Sequence, residues 1–229
     1  MSISIVIPVL NEAADIEATL VQLSALRGPT VEVIVSDGGS DDDTQALCRP
    51  WSDVVVSAPA GRGIQMNAGA AVARGSVLVF LHADTQLCAS HLTAIRAAME
   101  DQSNTWGRFD IRLSGGVRAL RVIEMMVNFR SRMTGVATGD QVMFMRRSTF
   151  NLLGGFPMIA LMEDVAMSKR LRATAWPCCI RTPRVVTSSR RWEHNGIVRT
   201  VFLMWCLRAA YVLGASPERL KRFYRNHAR

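Results

Sequence analysis

An α/β fold, with a mostly parallel central sheet and helices on both faces, is predicted by three observations. Short β-rich apolar runs alternate with helix-spaced segments over the first hundred residues, the pattern that successive β-α units produce. The opening runs are apolar enough to be buried strands. Several of them end abruptly in polar or glycine-rich clusters, at the strand ends where open α/β sheets bind ligands.

The elements follow in order. Residues 2–8 read as a buried strand stopped by Pro8 and Asn11-Glu12. Residues 13–26 have helical spacing, with Ile16, Leu20 and Leu23 on one face, as an amphipathic helix requires. Residues 31–35 form a second strand, residues 41–47 a short acidic-headed helix and residues 53–57 a third strand. Residues 61–73 read as a loop entering a helix, and residues 76–81 as the fourth strand. Further on, 106–113 and 141–146 are expected as strands, 116–133 and 163–172 as helices, and 185–187 as a short strand. Residues 196–214 form an apolar helix interrupted by Arg199 and Arg208. Each arginine would cost about 2.5–3.5 kcal/mol at a bilayer centre, so packing on the protein or lying in a membrane interface fits better than spanning. With no Pro/Gly/Ser linker between halves, residues 1–229 read as one continuous domain.

Charge divides the chain. Residues 1–114 carry 7 Lys and Arg against 13 Asp and Glu, whereas residues 115–229 carry 20 against 6. A basic second half suits nucleic acid, anionic lipid or a phosphorylated substrate. Nucleic acid is disfavoured, because no zinc-finger, helix-turn-helix or RNA-binding pattern occurs. Five cysteines without C-x-x-C spacing suggest neither a disulfide framework nor a zinc site. With no leader pattern at the start, a reduced cytoplasmic setting is expected, with the inner face of the membrane as a variant of it.

The chemistry-bearing residues gather at strand ends. Pro8, Asn11 and Glu12 close the first strand, where Asn11 reads either as a ligand contact or as turn chemistry. Asp37 closes the second, placed to accept hydrogen bonds from a ribose hydroxyl or a base N–H; Asp41 to Asp43 read mainly as structural. Gly61-Arg62-Gly63 leads into a helix, which suits a phosphate. It lacks the third glycine of a dinucleotide fingerprint and follows the third strand rather than the first. His82 and Asp84 stand two apart, so an extended backbone puts both on one side, where they could hold Mg²⁺ or Mn²⁺. Glu163-Asp164 open a helix, either as dipole compensation or as a base for an attacking hydroxyl. Asp140 is a further carboxylate before a strand. Arg190 and Arg191 match phosphate oxygens, and Trp192 offers a stacking face. His91, His194 and His227 read as structural or exposed.

Taken in this order, the segments resemble the family-two glycosyltransferases of GT-A fold, the Rossmann-like fold of nucleotide-diphospho-sugar transferases. The resemblance implies that Pro8 to Glu12 form a nucleotide-contacting loop and that Asp37 contacts the uracil or ribose. It places Gly61, Arg62 and Asn67 in the donor segment, with Ala83 beside them. Asp84 matches the last aspartate of the D-x-D metal motif, with His82 replacing the first. Asp164 matches the general base of the E-D motif, and Arg191-Trp192 resemble the end of Q-x-x-R-W, Ser188 standing where Gln would be. Gly-Arg-x-x-Gln-Met-Asn, His-Ala-Asp-Thr and Leu-Met-Glu-Asp resemble the bacterial subgroup associated with radical-SAM/selenodomain genes.

The resemblance implies an inverting, metal-dependent transfer from a nucleoside-diphosphate sugar, with a UDP-sugar expected, to an acceptor hydroxyl, the acceptor open and a lipid-linked one included. It divides the chain into a nucleotide-sugar-binding half (1–114), an acceptor and catalytic half (115–195) and a C-terminal apolar-basic helical segment (196–229). Asp140, Arg190, Arg191 and Trp192 are expected at the diphosphate or acceptor. The rivals are a sugar-phosphate nucleotidyltransferase and a peripheral membrane-binding module using the C-terminal helix. For transfer chemistry, Asp37, Asp84 and Asp164 are expected to converge on one crevice.

Overall fold

The computed structural model describes residues 1–227; Ala228 and Arg229 of the 196–229 segment lie outside the described residues, as does the His227 side chain. The chain runs β1 (Ile3–Val9), α1 (Ile16–Ser24), β2 (Val31–Asp37), α2 (Thr44–Cys48), β3 (Val54–Ser57), α3 (Arg62–Val72) and β4 (Val77–Phe80). It continues through β5 (Thr85–Gln86), α4 (Ala89–Glu100), β6 (Trp106–Leu113), α5 (Arg118–Thr134), β7 (Met143–Arg146) and α6 (Arg147–Leu152). Then come α7 (Glu163–Arg172), β8 (Cys178–Thr187), α8 (Arg190–Asn195), α9 (Ile197–Val212) and α10 (Pro217–His227).

The described strands form one sheet in the order β3-β2-β1-β4-β7-β6-β8-β5. β1 pairs in parallel with β2 and β4, β2 with β3, and β6 with β8. β7 and β5 run against their neighbours. Alternation of side chains across the strands sends Ile3, Ile5 and Ile7 to one face, against Ile16, Leu20 and Leu23 of α1 and Ile95 of α4. Val6, Leu78 and Phe80 point to the other, against Met66 and Ala70 of α3 and Met167 and Leu171 of α7. Both faces are therefore covered, as the largely apolar sequences of the central strands require.

Several elements had no counterpart in the sequence reading: β5, α4, α6 and α8; α10 was expected only as an undivided part of the helical segment 196–229. β8 is longer than expected, because Arg181, Pro183 and Arg184 hide its strand pattern. Among the described residues, its only partner beyond β6 is the two-residue β5, and a strand so little covered tolerates proline and charge. Among the described residues, no helix is long and apolar enough to cross a membrane. α9 instead buries Thr200, Leu203 and Leu207 in a small core shared with Leu220 of α10.

Candidate active site

The carboxyl ends of β1 and β4 open into a cleft of about 410 Å³. β1 supplies Pro8, Val9 and, just beyond it, Glu12; the segment after β4 supplies His82 and Asp84. The start of α3 brings Gly61, Arg62 and Gln65. Gln65 fixes this corner: its Nε2 donates to the carbonyls of Val9 (2.6 Å) and Ser36 (3.0 Å), and its Oε1 accepts from the Gly61 N–H (3.3 Å). The opposite wall comes from the second half of the chain: Asp140 on a 3-10 turn (Gly139–Gln141), Glu163 of α7, Arg190 and Arg191 of α8, and Lys221, Tyr224 and Arg225 of α10. An inner pocket continues from this cleft, sharing Arg62, His82, Asp140, Glu163 and Arg191 and adding Asp164 and Arg208.

Gly139 touches both walls. Its N–H donates to Asp164 Oδ2 at 3.0 Å, while Asp164 Oδ1 accepts from the Val165 N–H at 2.7 Å. The His82 ring lies against its α-carbon, so that a Cβ there would come within 2.0 Å of the imidazole. His82 Nδ1 in turn faces Asp140 Oδ1 at 3.5 Å. The backbone is strained on either side of this contact. Val142, directly after the turn, has φ 49°, and Met162, directly before Glu163, has φ 69°. Positive φ is costly for such side chains, above all β-branched valine, and strain of this kind gathers at functional sites.

Charges in the cleft perturb one another. Burial first, then the neighbouring Asp164, pushes the Glu163 pKa above its ordinary value, with Arg62 opposing. Enclosure in the cleft works against the Arg62 charge, yet Glu163, Asp140 and Asp164 together raise its pKa. Enclosure also disfavours ionised Asp140, but His82, Arg191 and Arg62 prevail and hold its carboxyl well below the usual range. Burial, then Asp84 and Asp15, raises the Glu12 pKa, which puts the Glu12 and Asp84 carboxylates within electrostatic reach of each other.

Three expectations are corrected. The backbone from His82 to Asp84 is not extended. β4 loses its partners after Phe80, Leu81 N–H makes the last bond to Val6 O (3.0 Å), and a turn follows in which Thr85 N–H donates to His82 O (3.1 Å). His82 and Asp84 still share the cleft, but His82 also faces the inner pocket and Asp84 a neighbouring one. Asp37 does not converge with Asp84 and Asp164. It is fully buried and accepts from the N–H groups of Gly39 and Ser40, from Ser40 Oγ (2.5 Å) and from Gln45 Nε2 (2.7 Å). Burial raises its pKa, but these hydrogen bonds outweigh it and leave the pKa below the ordinary value. Asn67 likewise stays out of the cleft, bridging to Phe156 through Nδ2 to O (2.9 Å) and N–H to Oδ1 (2.8 Å).

The remaining expected residues divide as follows. Asn11 is an exposed turn residue with φ 54° whose Oδ1 accepts from the Asp41 N–H at 3.0 Å. Ala83 lines the neighbouring pocket, and its carbonyl accepts from Thr19 Oγ1 at 2.7 Å. Arg190 reaches the cleft while donating to Asp15 Oδ2 at 2.5 Å. Trp192 packs on the main core and lines a separate groove rather than the cleft. Sequence reasoning missed Gln65, Gly139 and the α10 residues. For α10 the signal was present: Ser216-Pro217-Glu218 is a helix-start pattern.

A divalent cation fits this donor set in one manner. Among the described residues, no group of three or more His, Cys, Asp or Glu is arranged to cage a metal. Asp84, with the Asp140–His82 pair across the cleft, offers instead the one or two carboxylates that Mg²⁺ or Mn²⁺ takes when phosphates and water complete its coordination.

Residues 4–160 match the family described as glycosyl transferase family 2. An uncharacterized Mycobacterium tuberculosis protein is 32% identical over 106 residues, covering 44% of this chain and 33% of its own length. Among solved structures, S. aureus TarS (residues 1–349) is similar with a TM-score of 0.67 at 17% identity, over 88% of this chain and 64% of that one. The mannosyltransferase PcManGT from Pyrobaculum calidifontis, in complex with GDP-Man and Mn²⁺, gives 0.64 at 20% identity, over 99% and 68%. Glucosyl-3-phosphoglycerate synthase from M. tuberculosis, in complex with Mn²⁺, UDP and glucosyl-3-phosphoglycerate, gives 0.61 at 18% identity, over 87% and 78%. The chain thus spans about a third of its curated relative and less than two thirds of TarS. At these identities the structural likeness establishes the fold, which is GT-A.

Proposed function

The chain belongs to glycosyl transferase family 2, and from that premise we propose that it moves a sugar from a nucleoside-diphosphate sugar, a UDP-sugar first among them, to an acceptor hydroxyl with inversion. The observation that carries this reading is the two-walled cleft. Acidic groups from β4 and the Gly139–Gln141 turn face guanidinium groups from α3 and α8, and the Asp164 carboxylate is held at the inner end. Structures of the family neighbours with UDP or GDP-Man and Mn²⁺ support the donor class. The Gly-Arg-x-x-Gln-Met-Asn, His-Ala-Asp-Thr and Leu-Met-Glu-Asp stretches support the radical-SAM/selenodomain-associated subgroup. In this reading, residues 1–114 supply the donor side, 115–195 the acceptor and base side, and the described part of 196–229 covers the cleft.

The donor enters with its nucleoside along Pro8 to Glu12 and its diphosphate toward Arg62, Arg190 and Arg191, which stabilise the charge that develops on departure. Asp84, with Asp140 and His82, would hold Mg²⁺ or Mn²⁺, which neutralises the leaving diphosphate when bound. Glu163 faces Arg62 and orients it. Asp164, fixed by the N–H groups of Gly139 and Val165, takes the acceptor proton. The acceptor oxygen bonds to the anomeric carbon as the bond from that carbon to the diphosphate oxygen breaks, and the nucleoside diphosphate leaves.

Product identity tests this. Nucleotide sugars plus Mn²⁺ are expected to raise the melting temperature as donor concentration exceeds Kd, and turnover is expected to release a nucleoside diphosphate. Pyrophosphate release from a nucleoside triphosphate and a sugar phosphate would overturn it in favour of nucleotidyl transfer.

A further inference from the structure

Two helices beside the cleft turn apolar side chains outward. On α5, Val122, Met125, Phe129 and Met133 recur three or four residues apart, on one exposed face. On α9, Val198, Phe202 and Trp205 do the same, with Phe202 70% and Trp205 58% exposed. Exposed apolar surface of this extent marks an interaction site. Between the helices runs an apolar groove walled by Ile123, Met126 and Val127 of α5 and by Val201, Met204 and Trp205 of α9.

The groove does not end blindly. Its deep end is formed by Thr138, Asp140, Arg191 and Arg208, all of which also line the inner pocket that holds Asp164. Behind Arg208 stands Arg130, whose Nε and Nη2 are buried without a hydrogen-bond partner. Burial, then the charge of Arg208, pulls the Arg130 pKa down to about 10, against the opposing effect of Asp164. At the groove end itself, Arg191 and Arg208 stand against the single Asp140 carboxylate, which leaves an excess of positive charge there. The stretch that supplies α8, α9 and most of α10 is cationic as well: residues 190–225 carry 8 Lys and Arg against 2 Asp and Glu. Apolar walls that end on guanidiniums complement an amphiphile with a hydrocarbon chain and an anionic head.

We propose that this groove seats the hydrocarbon chain of a lipid-linked acceptor, with the headgroup phosphate drawn to Arg208 and the outward faces of α5 and α9 resting on the bilayer. The inference rests on the transferase reading, since it brings the acceptor's headgroup toward the inner pocket that holds Asp164. Cationic and apolar side chains together supply the paired signals that hold a protein at a membrane surface.

Vesicle co-sedimentation of the full chain tests it. The probes are phosphatidylcholine vesicles doped with phosphatidic acid, which offers an accessible phosphate monoester, or with phosphatidylglycerol at matched surface charge. UDP-dependent thermal stabilisation is measured on the same samples. The expected result is binding about tenfold tighter to the phosphatidic acid vesicles. Trp205→Glu and Phe129→Glu, on different helices, are each expected to weaken that binding about tenfold while keeping the UDP stabilisation. Arg208→Gln is expected to erase the preference between the two lipids. Equal binding to both vesicle types, or full binding by both glutamate variants, with UDP stabilisation intact, overturns the lipid groove and leaves the transferase reading standing. Loss of response to every nucleotide and nucleotide sugar in the wild-type chain overturns that reading and the groove's role with it.

Discussion

On one side of the cleft, residues 1–114 lay β1, β2, β3 and β4 side by side in unbroken parallel register, with carboxylates in excess. On the other, the chain from residue 115 onward doubles back through antiparallel β7, passes two non-glycine residues at positive φ, and brings guanidinium groups in excess. The first wall is a scaffold whose strand ends open into the cleft, the position at which parallel sheets generally bind ligands. The second is assembled by long-range contacts at particular atoms, such as Gly139 N–H on Asp164. In the proposed reading the difference separates the proton acceptor from the donor scaffold: the regular wall sets where a nucleoside would lie, and the strained wall holds Asp164 and adds guanidinium groups for the diphosphate.

Substitutions on the two walls should therefore fail differently. The largest effect is expected from Asp164→Asn, which should lower turnover about 10²–10⁴-fold and leave UDP affinity unchanged, as steady-state kinetics beside calorimetry would read. If Glu163→Gln loses turnover to that extent and Asp164→Asn does not, the proton acceptor is Glu163. Gly139→Ala comes next. Its Cβ would strike the His82 ring, and misplacement of that order costs about 100-fold in rate. Gly28→Ala, where a Cβ meets nothing within 4 Å, is the control and should keep full turnover. Asn67→Ala cuts both hydrogen bonds between α3 and Phe156. It should cost about 1–3 kcal/mol in urea unfolding, with the urea midpoint lowered and the UDP contacts themselves retained.

The smallest effect concerns the buried Asp37. Its pKa is depressed in the folded chain, so its contribution to stability is present above the unfolded pKa and is lost as pH falls through the folded one. Urea midpoints measured at neutral pH and again well below the ordinary aspartate value of 3.8 should show wild type losing more stability on acidification than Asp37→Asn. Equal losses would mean that the Gly39–Ser40 loop does not depend on that charge.

The regular wall was legible in the sequence, since Ile3, Ile5 and Ile7 or Val33 and Val35 report their burial through composition alone. Its fourth strand was legible too, but not the turn after Phe80, because the end of strand pairing is decided by β7, far along the chain. Asp37 was correctly placed at a strand end, but nothing local reveals that Ser40 and Gln45 occupy its carboxylate. On the second wall, Glu163, Asp164, Asp140 and Arg191 were named, yet Gly139 was not. Its role depends on His82 lying over it, a contact between positions 57 residues apart in the numbering. Lys221, Tyr224 and Arg225 were missed because α10 shows a charged surface to pattern analysis and is anchored by Leu220.

The central claim is that one cleft holds a cation-bridged nucleoside diphosphate on Asp84 beside a separately held proton acceptor. Calorimetric titration of UDP, with and without Mn²⁺, into wild type, Asp84→Ala and Asp164→Asn tests it most directly. The prediction is Mn²⁺-enhanced binding by wild type and Asp164→Asn, with that enhancement lost in Asp84→Ala. Equal Mn²⁺-dependent binding by all three, or no UDP binding by wild type, would contradict it.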